Sequence, residues 1–187
     1  MKKYWYKTAM LVMALGVFTA CSDDDGPKIP EGPIALVNGA YVINTGNWNE
    51  NNGTIQWYDR DLKTVSADLF AAANGAGIGD AQDLCVYGTK IYITCSSSAK
   101  IEIVDRKDFK RIKTLNLTNE SGQPIQPRYM TAAKGNIYFT AYDGTVSQID
   151  TTSLSITKKI EVGGSHPEAL TSANGKLYIC LLYTSPS

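Results

Sequence analysis

The sequence predicts an all-β fold, a β-propeller with four-stranded blades, on three observations. A turn glycine followed by an alternating strand recurs along the chain, an aspartate closes the next strand in each copy, and two further strands fill each interval. The copies lie about 45 residues apart. Four short strands in a period of this length are typical of propeller blades.

The glycine-led strand is the clearest repeated element. It stands at residues 88–94 (GTKIYIT), 135–140 (GNIYFT) and 175–179 (GKLYI), and more loosely at 39–43 (GAYVI). In each copy a glycine suited to a turn is followed by an alternating run of β-branched and aromatic residues. This pattern is typical of a half-buried strand that follows a hairpin turn.

The aspartate-closed strand follows about ten residues later, at 55–59 (IQWYD), 101–105 (IEIVD) and 146–150 (VSQID). A further strand is predicted after each copy, at 63–66, 111–115 and 156–162, and another before the glycines, at 83–87 and 129–133. An immunoglobulin-like sandwich also has short strands, but its strands do not repeat their sequence at a fixed period. Residues 34–179 therefore predict a partial propeller, truncated to about three blades and the start of a fourth.

The first twenty residues predict a lipoprotein signal peptide. Three lysines precede a run of twelve apolar residues at 9–20. That run is shorter than the roughly 20 apolar residues that cross a bilayer, but it suits the core of a signal peptide. The small residues before Cys21 resemble a lipobox, although Phe18 departs from its usual aliphatic residue. We expect Cys21 to be lipidated; the alternative is an ordinary cleaved signal.

Residues 21–33 predict a tether, because an acidic, Gly- and Pro-rich segment cannot bury enough apolar surface to fold. Asp23, Asp24 and Asp25 follow the cysteine closely. Such an acidic run resembles the surface-export signal of Bacteroidetes lipoproteins, which implies a lipid-anchored position at the cell surface, on the outer membrane. The alternative is a solvated linker that carries no sorting signal.

The last eight residues, 180–187 (CLLYTSPS), resemble a translated adapter from shotgun DNA libraries. We expect them to be an artefact that follows a natural sequence cut after Ile179. The alternative is a genuine final strand. No functional expectation is based on these residues.

Composition excludes some partners. The formal net charge is zero and no basic patch is present, so nucleic acid is not expected as a partner. Of the four cysteines, Cys85 and Cys95 fall within the predicted blades. On a hairpin that turns near Gly88 they are out of register, so we expect buried thiols and no disulfide.

The repeats resemble YncE-like, or YVTN-type, propellers, and most closely those of Bacteroidetes surface lipoproteins. Residues 44–48 (NTGNW) resemble the opening segment of that family. One relative captures cobalamin for an outer-membrane transporter. The resemblance therefore implies a surface lipoprotein that captures a small molecule, such as a corrinoid, and passes it to a transporter in the outer membrane.

One face of a propeller collects the loops between second and third strands and the loops between blades. Amides, carboxylates and aromatic rings in these loops suit a polar ligand with a ring system. Plain turn chemistry is the alternative reading of each residue. The candidate ligand-binding residues are Asn47, Trp48, Asn49, Asp80, Gln82, Asp83, Arg128, Tyr129, Tyr142, Asp143, His166 and Glu168.

Signals for catalysis are weak. The chain has a single histidine, His166, and no spacing typical of a metal site or phosphate loop. We expect neither an enzyme nor a bound metal or cofactor. Two alternatives to ligand capture stay open: a propeller that binds a protein or glycan without a small molecule, and a propeller lyase or lactonase, in which Asp80, Asp83 and Glu168 would act as acid and base.

Overall fold

The computed structural model describes residues 38–183, which form four antiparallel sheets. The predicted lipidation site at Cys21, the predicted signal peptide and the predicted tether lie outside the described residues. We name the sheets blades 1 to 4 in chain order. Blade 1 contains β1 (Gly39–Asn44), β2 (Thr54–Asp59) and β3 (Thr64–Val65), and blade 2 contains β4 (Ala81–Tyr87), β5 (Lys90–Cys95), β6 (Lys100–Asp105) and β7 (Arg111–Asn116). Blade 3 contains β8 (Pro127–Ala133), β9 (Asn136–Ala141), β10 (Thr145–Asp150) and β11 (Ser155–Glu161), and blade 4 contains β12 (Ser165–Ala173) and β13 (Lys176–Tyr183).

The blades stand side by side, and apolar side chains pack between them. The first strands of blades 2, 3 and 4 are neighbours, with β8 against both β4 and β12. Successive residues of a strand point to opposite faces of its sheet. Ile91 and Ile93 of β5 therefore join a core with blade 1, whereas Tyr92 between them joins a core with blade 3. The predicted β-propeller architecture is confirmed.

The repeating aspartates are turn caps. Asp59 Oδ1 accepts hydrogen bonds from two backbone N–H groups beyond its strand, those of Asp61 and Leu62, each at 2.9 Å. Asp150 Oδ1 does the same, and Asp105 Oδ1 accepts from Lys107 at 2.7 Å. A side chain that bonds to its own following backbone stabilises a tight turn. The periodic aspartates that revealed the repeat thus have a structural role.

A short helix, α1 (Leu69–Asn74), follows blade 1 and was not expected from the sequence. The Asp68 carboxylate caps its first turn by accepting from the Phe70 N–H at 3.0 Å, and Gly75 ends it in the left-handed conformation at φ 66°. Phe70 is fully buried in the core between blades 1 and 2. Six residues are too few for a helical period to show in a sequence.

The predicted difference in register between Cys85 and Cys95 is confirmed, and the predicted burial is confirmed for Cys95. Cys85 pairs across the hairpin with Tyr92, and Cys95 pairs with Ala81, so the two thiols are out of register and both are free. Cys95 is buried and Cys85 half-buried. Burial raises the pKa of the Cys95 thiol to about 12, and burial followed by the nearby Asp83 raises that of Cys85 to about 11. Neither thiol is a reactive thiolate at neutral pH.

The natural part of the sequence was expected to end after Ile179, but the pairing of β13 with β12 continues past that residue. The last strand, β13, continues to Tyr183, and Leu181 pairs with Pro167 of β12. The adapter interpretation of residues 180–187 stays a prediction. Within residues 38–183, no helix is long and apolar enough to cross a membrane.

Candidate ligand-binding face

One strand irregularity recurs in three blades and places three candidate residues. The first strand of blades 2, 3 and 4 shifts its register near its start: between Ala81 and Asp83, between Pro127 and Met130, and between Pro167 and Leu170. A bulge of this kind adds residues to one strand and redirects a side chain, and such bulges are frequent beside functional sites. The residues in the equivalent first position of these bulges are Gln82, Arg128 and Glu168.

The Arg128 guanidinium joins these three positions. Its Nη1 donates to Gln82 Oε1 at 2.8 Å and to Ser96 Oγ at 3.2 Å, and its Nε donates to Glu168 Oε2 at 3.0 Å. The side chains of Arg128 and Glu168 are 13% and 17% exposed. One cation of blade 3 therefore links blade 2 to blade 4 in a largely desolvated setting, where charge-assisted hydrogen bonds are strong.

Aromatic rings surround this cation. The guanidinium carbon of Arg128 lies 4.7 Å from the ring centroid of Tyr142 and 5.7 Å from that of Tyr129, distances typical of cation–π contacts. The Tyr142 hydroxyl donates to Glu168 Oε1, and the Tyr142 ring lies 4.8 Å from the ring of His166. Burial, and then the hydrogen bond to Glu168, raise the pKa of Tyr142, so the phenol keeps its proton. We call this set the central rim: Gln82, Arg128, Tyr129, Tyr142, His166 and Glu168.

Asp80 supports a neighbouring loop. Its carboxylate is fully buried and accepts hydrogen bonds from the backbone of Ser97 and, at 2.9 Å, from that of Ser98. The Ser98 hydroxyl lies 2.6 Å from Asn51 Oδ1, which ties the loop to blade 1. Burial raises the pKa of Asp80, but the hydrogen bonds from Ser97 and Ser98 outweigh it and lower the pKa overall. Asp80 therefore stays ionised as a loop anchor.

Asp83 connects blades 2 and 3. Its Oδ2 accepts from the Met130 N–H at 2.7 Å. Burial raises the pKa of Asp83, and backbone hydrogen bonds from Met130 and Leu84 offset part of that rise. Asp80, Asp83 and Glu168 thus have separate partners.

Trp48 lies on a braced loop of blade 1 and is 53% exposed. The N–H of Asn47 donates to Asn52 Oδ1 at 2.8 Å, and the amides of Asn47 and Asn52 both donate to Glu50 Oε2. Asn49 adopts a left-handed conformation at φ 64°, which asparagine tolerates better than most residues. The loop presents an aromatic ring from a fixed backbone, as a platform apart from the central rim.

Asp143 also has its own surroundings. Its Oδ2 lies 2.8 Å from Lys159 Nζ, and its Oδ1 accepts from the Thr145 hydroxyl at 2.7 Å. The sequence candidates therefore fall into several clusters: the central rim, the anchors Asp80 and Asp83, the loop of Asn47, Trp48 and Asn49, and Asp143 with its lysine.

Two buried threonines hold the bulges in place and were missed in the sequence. Thr94 of β5 donates its hydroxyl to the Arg128 carbonyl at 2.6 Å, and Thr140 of β9 donates to the Glu168 carbonyl at 2.7 Å. Both threonines are fully buried and occupy the same position of the glycine-led repeat. That repetition was visible, but a threonine in a strand is also an ordinary β-former.

Within residues 38–183, no three histidine, cysteine or acidic side chains are placed to hold a metal ion. The arrangement at the central rim offers hydrogen-bond donors, a carboxylate and aromatic surface, which are features of a binding site for a polar molecule.

The side-by-side antiparallel sheets, two of which have four strands, define the chain as a β-propeller protein. Two solved structures are similar. A chain of Kuenenia stuttgartiensis hydrazine synthase aligns with a TM-score of 0.57 and 18% identity, covering 72% of this chain and 37% of its own length. The WD40 β-propeller domain of Doa1 aligns with a TM-score of 0.54 and 16% identity, covering 74% of this chain and 46% of its own. At these identities the likeness shows the fold alone, and the chain spans less than half the length of either structure.

The chain belongs to the family described as a domain of unknown function, DUF5074, whose model matches residues 38–181. No curated protein sequence matches it.

Proposed function

We propose that this protein captures a small polar ligand with a ring system at the central rim. The observation that carries the proposal is the Arg128 network: residues from three blades converge on one guanidinium with two tyrosine rings beside it. Within residues 38–183, the hydrogen bonds to Gln82, Ser96 and Glu168 use Nε and Nη1, and we assign Nη2 as the donor to a ligand. A rigid arginine beside aromatic rings binds planar groups at low entropic cost.

The wider setting is part of the same proposal. Cys21 carries a lipid that holds the domain on the outer membrane, at the cell surface, and the ligand passes to a transporter there. The resemblance to YncE-like surface lipoproteins of Bacteroidetes supports this setting and makes a corrinoid the first ligand to test. The separate partners of Asp80, Asp83 and Glu168 support a binding role without catalysis, since no free acid and base face each other among them.

The test is calorimetric titration of the purified protein with cyanocobalamin, beside the variants Tyr129→Ala and Tyr87→Ala. Tyr87 is a matched control, because it is exposed at the far end of β4, away from the bulge. Binding that weakens by about tenfold or more in Tyr129→Ala, as at interface hot spots, and not in Tyr87→Ala supports the proposal. Equal binding by both variants would place the ligand elsewhere, and no binding by the wild type would exclude the corrinoid.

A second candidate function rests on Trp48. An exposed tryptophan on a braced loop suits stacking against a sugar ring or packing into a partner protein. The test is a titration of the wild type and of Trp48→Ala with soluble glycans, monitored by tryptophan fluorescence. A fluorescence change that persists in Trp48→Ala would contradict this candidate.

A further inference from the structure

A cavity of about 200 Å³ lies between blade 3 and the segment that joins it to blade 2, and none of the central-rim residues lines it. Its apolar wall includes Leu117, Ile125 and Phe139, and its polar side includes Asp143, Ser147 and Lys159. The volume is below the roughly 300–1,000 Å³ typical of pockets for drug-sized ligands. The cavity therefore suits a smaller molecule that has both an apolar and a polar part.

The repeat shows why the cavity exists. In blade 3, Ser147 pairs with Phe139 on one side and with Lys159 on the other. In blade 2, the residue at the corresponding position is Glu102, which pairs with Ile93 and Thr114. Ser147 is 5% exposed and Glu102 is 1% exposed. A long acidic side chain in one blade is thus replaced by a short hydroxyl in the next, and the shorter side chain leaves space.

Glu102 shows what chemistry this position holds when it is filled. Its carboxylate lies 2.8 Å from Lys100 Nζ and 2.9 Å from Arg111 Nε, and it accepts from the Thr114 hydroxyl at 2.8 Å. A buried carboxylate is tolerated only with such partners. In blade 3 a cation, Lys159, stands at the strand position opposite Ser147, where blade 2 has Thr114, but position 147 itself has no carboxylate.

The cavity also has an anion. Asp143 lies 2.8 Å from Lys159 and is a lining residue together with it. Lys159 is 45% exposed on its side chain, so this ion pair is partly solvated and contributes little to stability. A ligand with one positive and one negative group can therefore replace the contact between Asp143 and Lys159 with contacts to itself, with little loss of free energy.

We propose that this cavity binds a small zwitterion with an apolar side chain, of the class of free leucine or phenylalanine. The ligand carboxylate takes the place that the Glu102 carboxylate fills in blade 2, with the Ser147 hydroxyl and the Lys159 ammonium as donors. The ligand ammonium donates to Asp143, and the apolar side chain packs against Phe139, Leu117 and Ile125. This site is independent of the ligand proposed for the central rim.

The test uses the purified full chain and calorimetric titration with L-leucine, with isocaproate, which lacks the ammonium, and with isoamylamine, which lacks the carboxylate. We expect leucine to bind with a dissociation constant of about 1 mM or tighter, and each analogue to bind at least about tenfold more weakly. The key variant is Ser147→Glu, which restores the carboxylate of blade 2. It should pair with Lys159, fill the cavity and abolish leucine binding.

A thermal melt accompanies each titration, with Ser153→Glu, on an exposed turn, as the matched control. If Ser147→Glu does not fold, Lys159→Met provides a second variant, and it should weaken leucine binding while an exposed lysine variant, Lys107→Met, does not. Leucine binding that is unchanged in a folded Ser147→Glu or Lys159→Met protein overturns the proposal. So does equal binding of leucine and both analogues, or no leucine binding by the wild type.

Discussion

Arg128 and Glu168 occupy the same bulge position of successive blades, and the guanidinium of one donates to the carboxylate of the other at 3.0 Å. A strand irregularity that repeats has therefore produced a contact between blades. Because the partner residues come from different sheets, the contact has consequences for both stability and binding.

Removal of the Arg128 guanidinium should destabilise the fold. Arg128→Met leaves the Glu168 carboxylate without its cation in a largely buried setting, and we expect a loss of about 1–3 kcal/mol, below the range for fully buried pairs because both side chains are partly exposed. Urea unfolding measures the loss. Arg60→Met is the control, because Arg60 is exposed. Equal midpoints for the two variants would show that the network does not hold the blades together.

The two threonine contacts should matter separately. Thr94→Val and Thr140→Val each keep the side-chain shape but leave a bulge carbonyl without its donor, so each should lower the free energy of unfolding by about 1–3 kcal/mol. Thr64→Val, on an exposed strand position, is the matched substitution and should have little effect. Chemical denaturation measures the free energy of unfolding of all three variants. An equally small loss in all three would contradict this expectation.

Two aspartates should respond to pH in opposite directions. The folded pKa of Asp80 is lowered, so its stabilisation is complete above the unfolded value, about 3.9, and is lost as the pH falls through the folded pKa. The folded pKa of Asp83 is raised, so its ionised form weakens the fold, and that penalty sets in as the pH rises from the unfolded pKa through the folded one.

The matched variants are Asp80→Asn and Asp83→Asn. At neutral pH, Asp80→Asn should lose about 1–3 kcal/mol, because the two serine N–H groups donate to different carboxylate oxygens and asparagine replaces one of these with an NH2 group that cannot accept. Asp83→Asn should be neutral or stabilising. Unfolding curves from about pH 3 to pH 7 compare them. If the free energy of unfolding varied with pH in the same way in the wild type and in Asp80→Asn, Asp80 would not be a source of acid sensitivity.

Trp48 and Trp57, the two tryptophans within residues 38–183, should separate stability from binding. Trp57 is 7% exposed and packs edge-on against Tyr41 at 5.1 Å, so Trp57→Ala should lose about 3–5 kcal/mol. Trp48 is 53% exposed, and Trp48→Ala should leave the thermal melt unchanged. If the melts show the reverse, the strand and loop assignment of blade 1 is wrong.

Lipidation is tested at Cys21. Replacement by serine removes the thiol that we propose is lipidated, so Cys21→Ser should appear in the soluble fraction and incorporate no labelled fatty acid. Fractionation of cells that express the wild type and the variant measures both. The control is Cys85→Ser, which changes a half-buried thiol within blade 2. Membrane association and lipid labelling that survive in Cys21→Ser would overturn the lipoprotein proposal.

Strand positions could be predicted because each strand repeats a visible pattern. The predicted strand at 101–105 corresponds to Lys100–Asp105, and the strand at 129–133 to Pro127–Ala133. The helix at Leu69–Asn74 was missed because its caps, Asp68 and Gly75, are residues that also suit loops.

The site was harder to predict than the fold. The segments predicted as loops contain all the residues of the central rim, but the loop assignment was wrong for most of them, because β4, β8 and β12 begin before the rim residues that they contain. The choice of partners depends on the bulges, and no sequence pattern marks a shift of register. Arg128 was expected in a loop between blades but lies in the first strand of blade 3, and nothing in the sequence showed that Glu168 and Gln82 bind it. The cavity depends on the small size of Ser147, and its significance is visible only beside Glu102 in the aligned blade.

The shared bulge also affects how such a protein can diversify. Each of blades 2 to 4 contributes one bulge side chain to the central rim, and in blades 3 and 4 a threonine hydroxyl bonds to the backbone carbonyl of that residue, a contact that does not depend on which side chain it carries. A point mutation at one bulge can therefore change the charge or size of the rim while the cores between the blades keep their packing. Members of one lineage can in this way acquire different ligand preferences by one substitution per blade, without an inserted loop or a new scaffold.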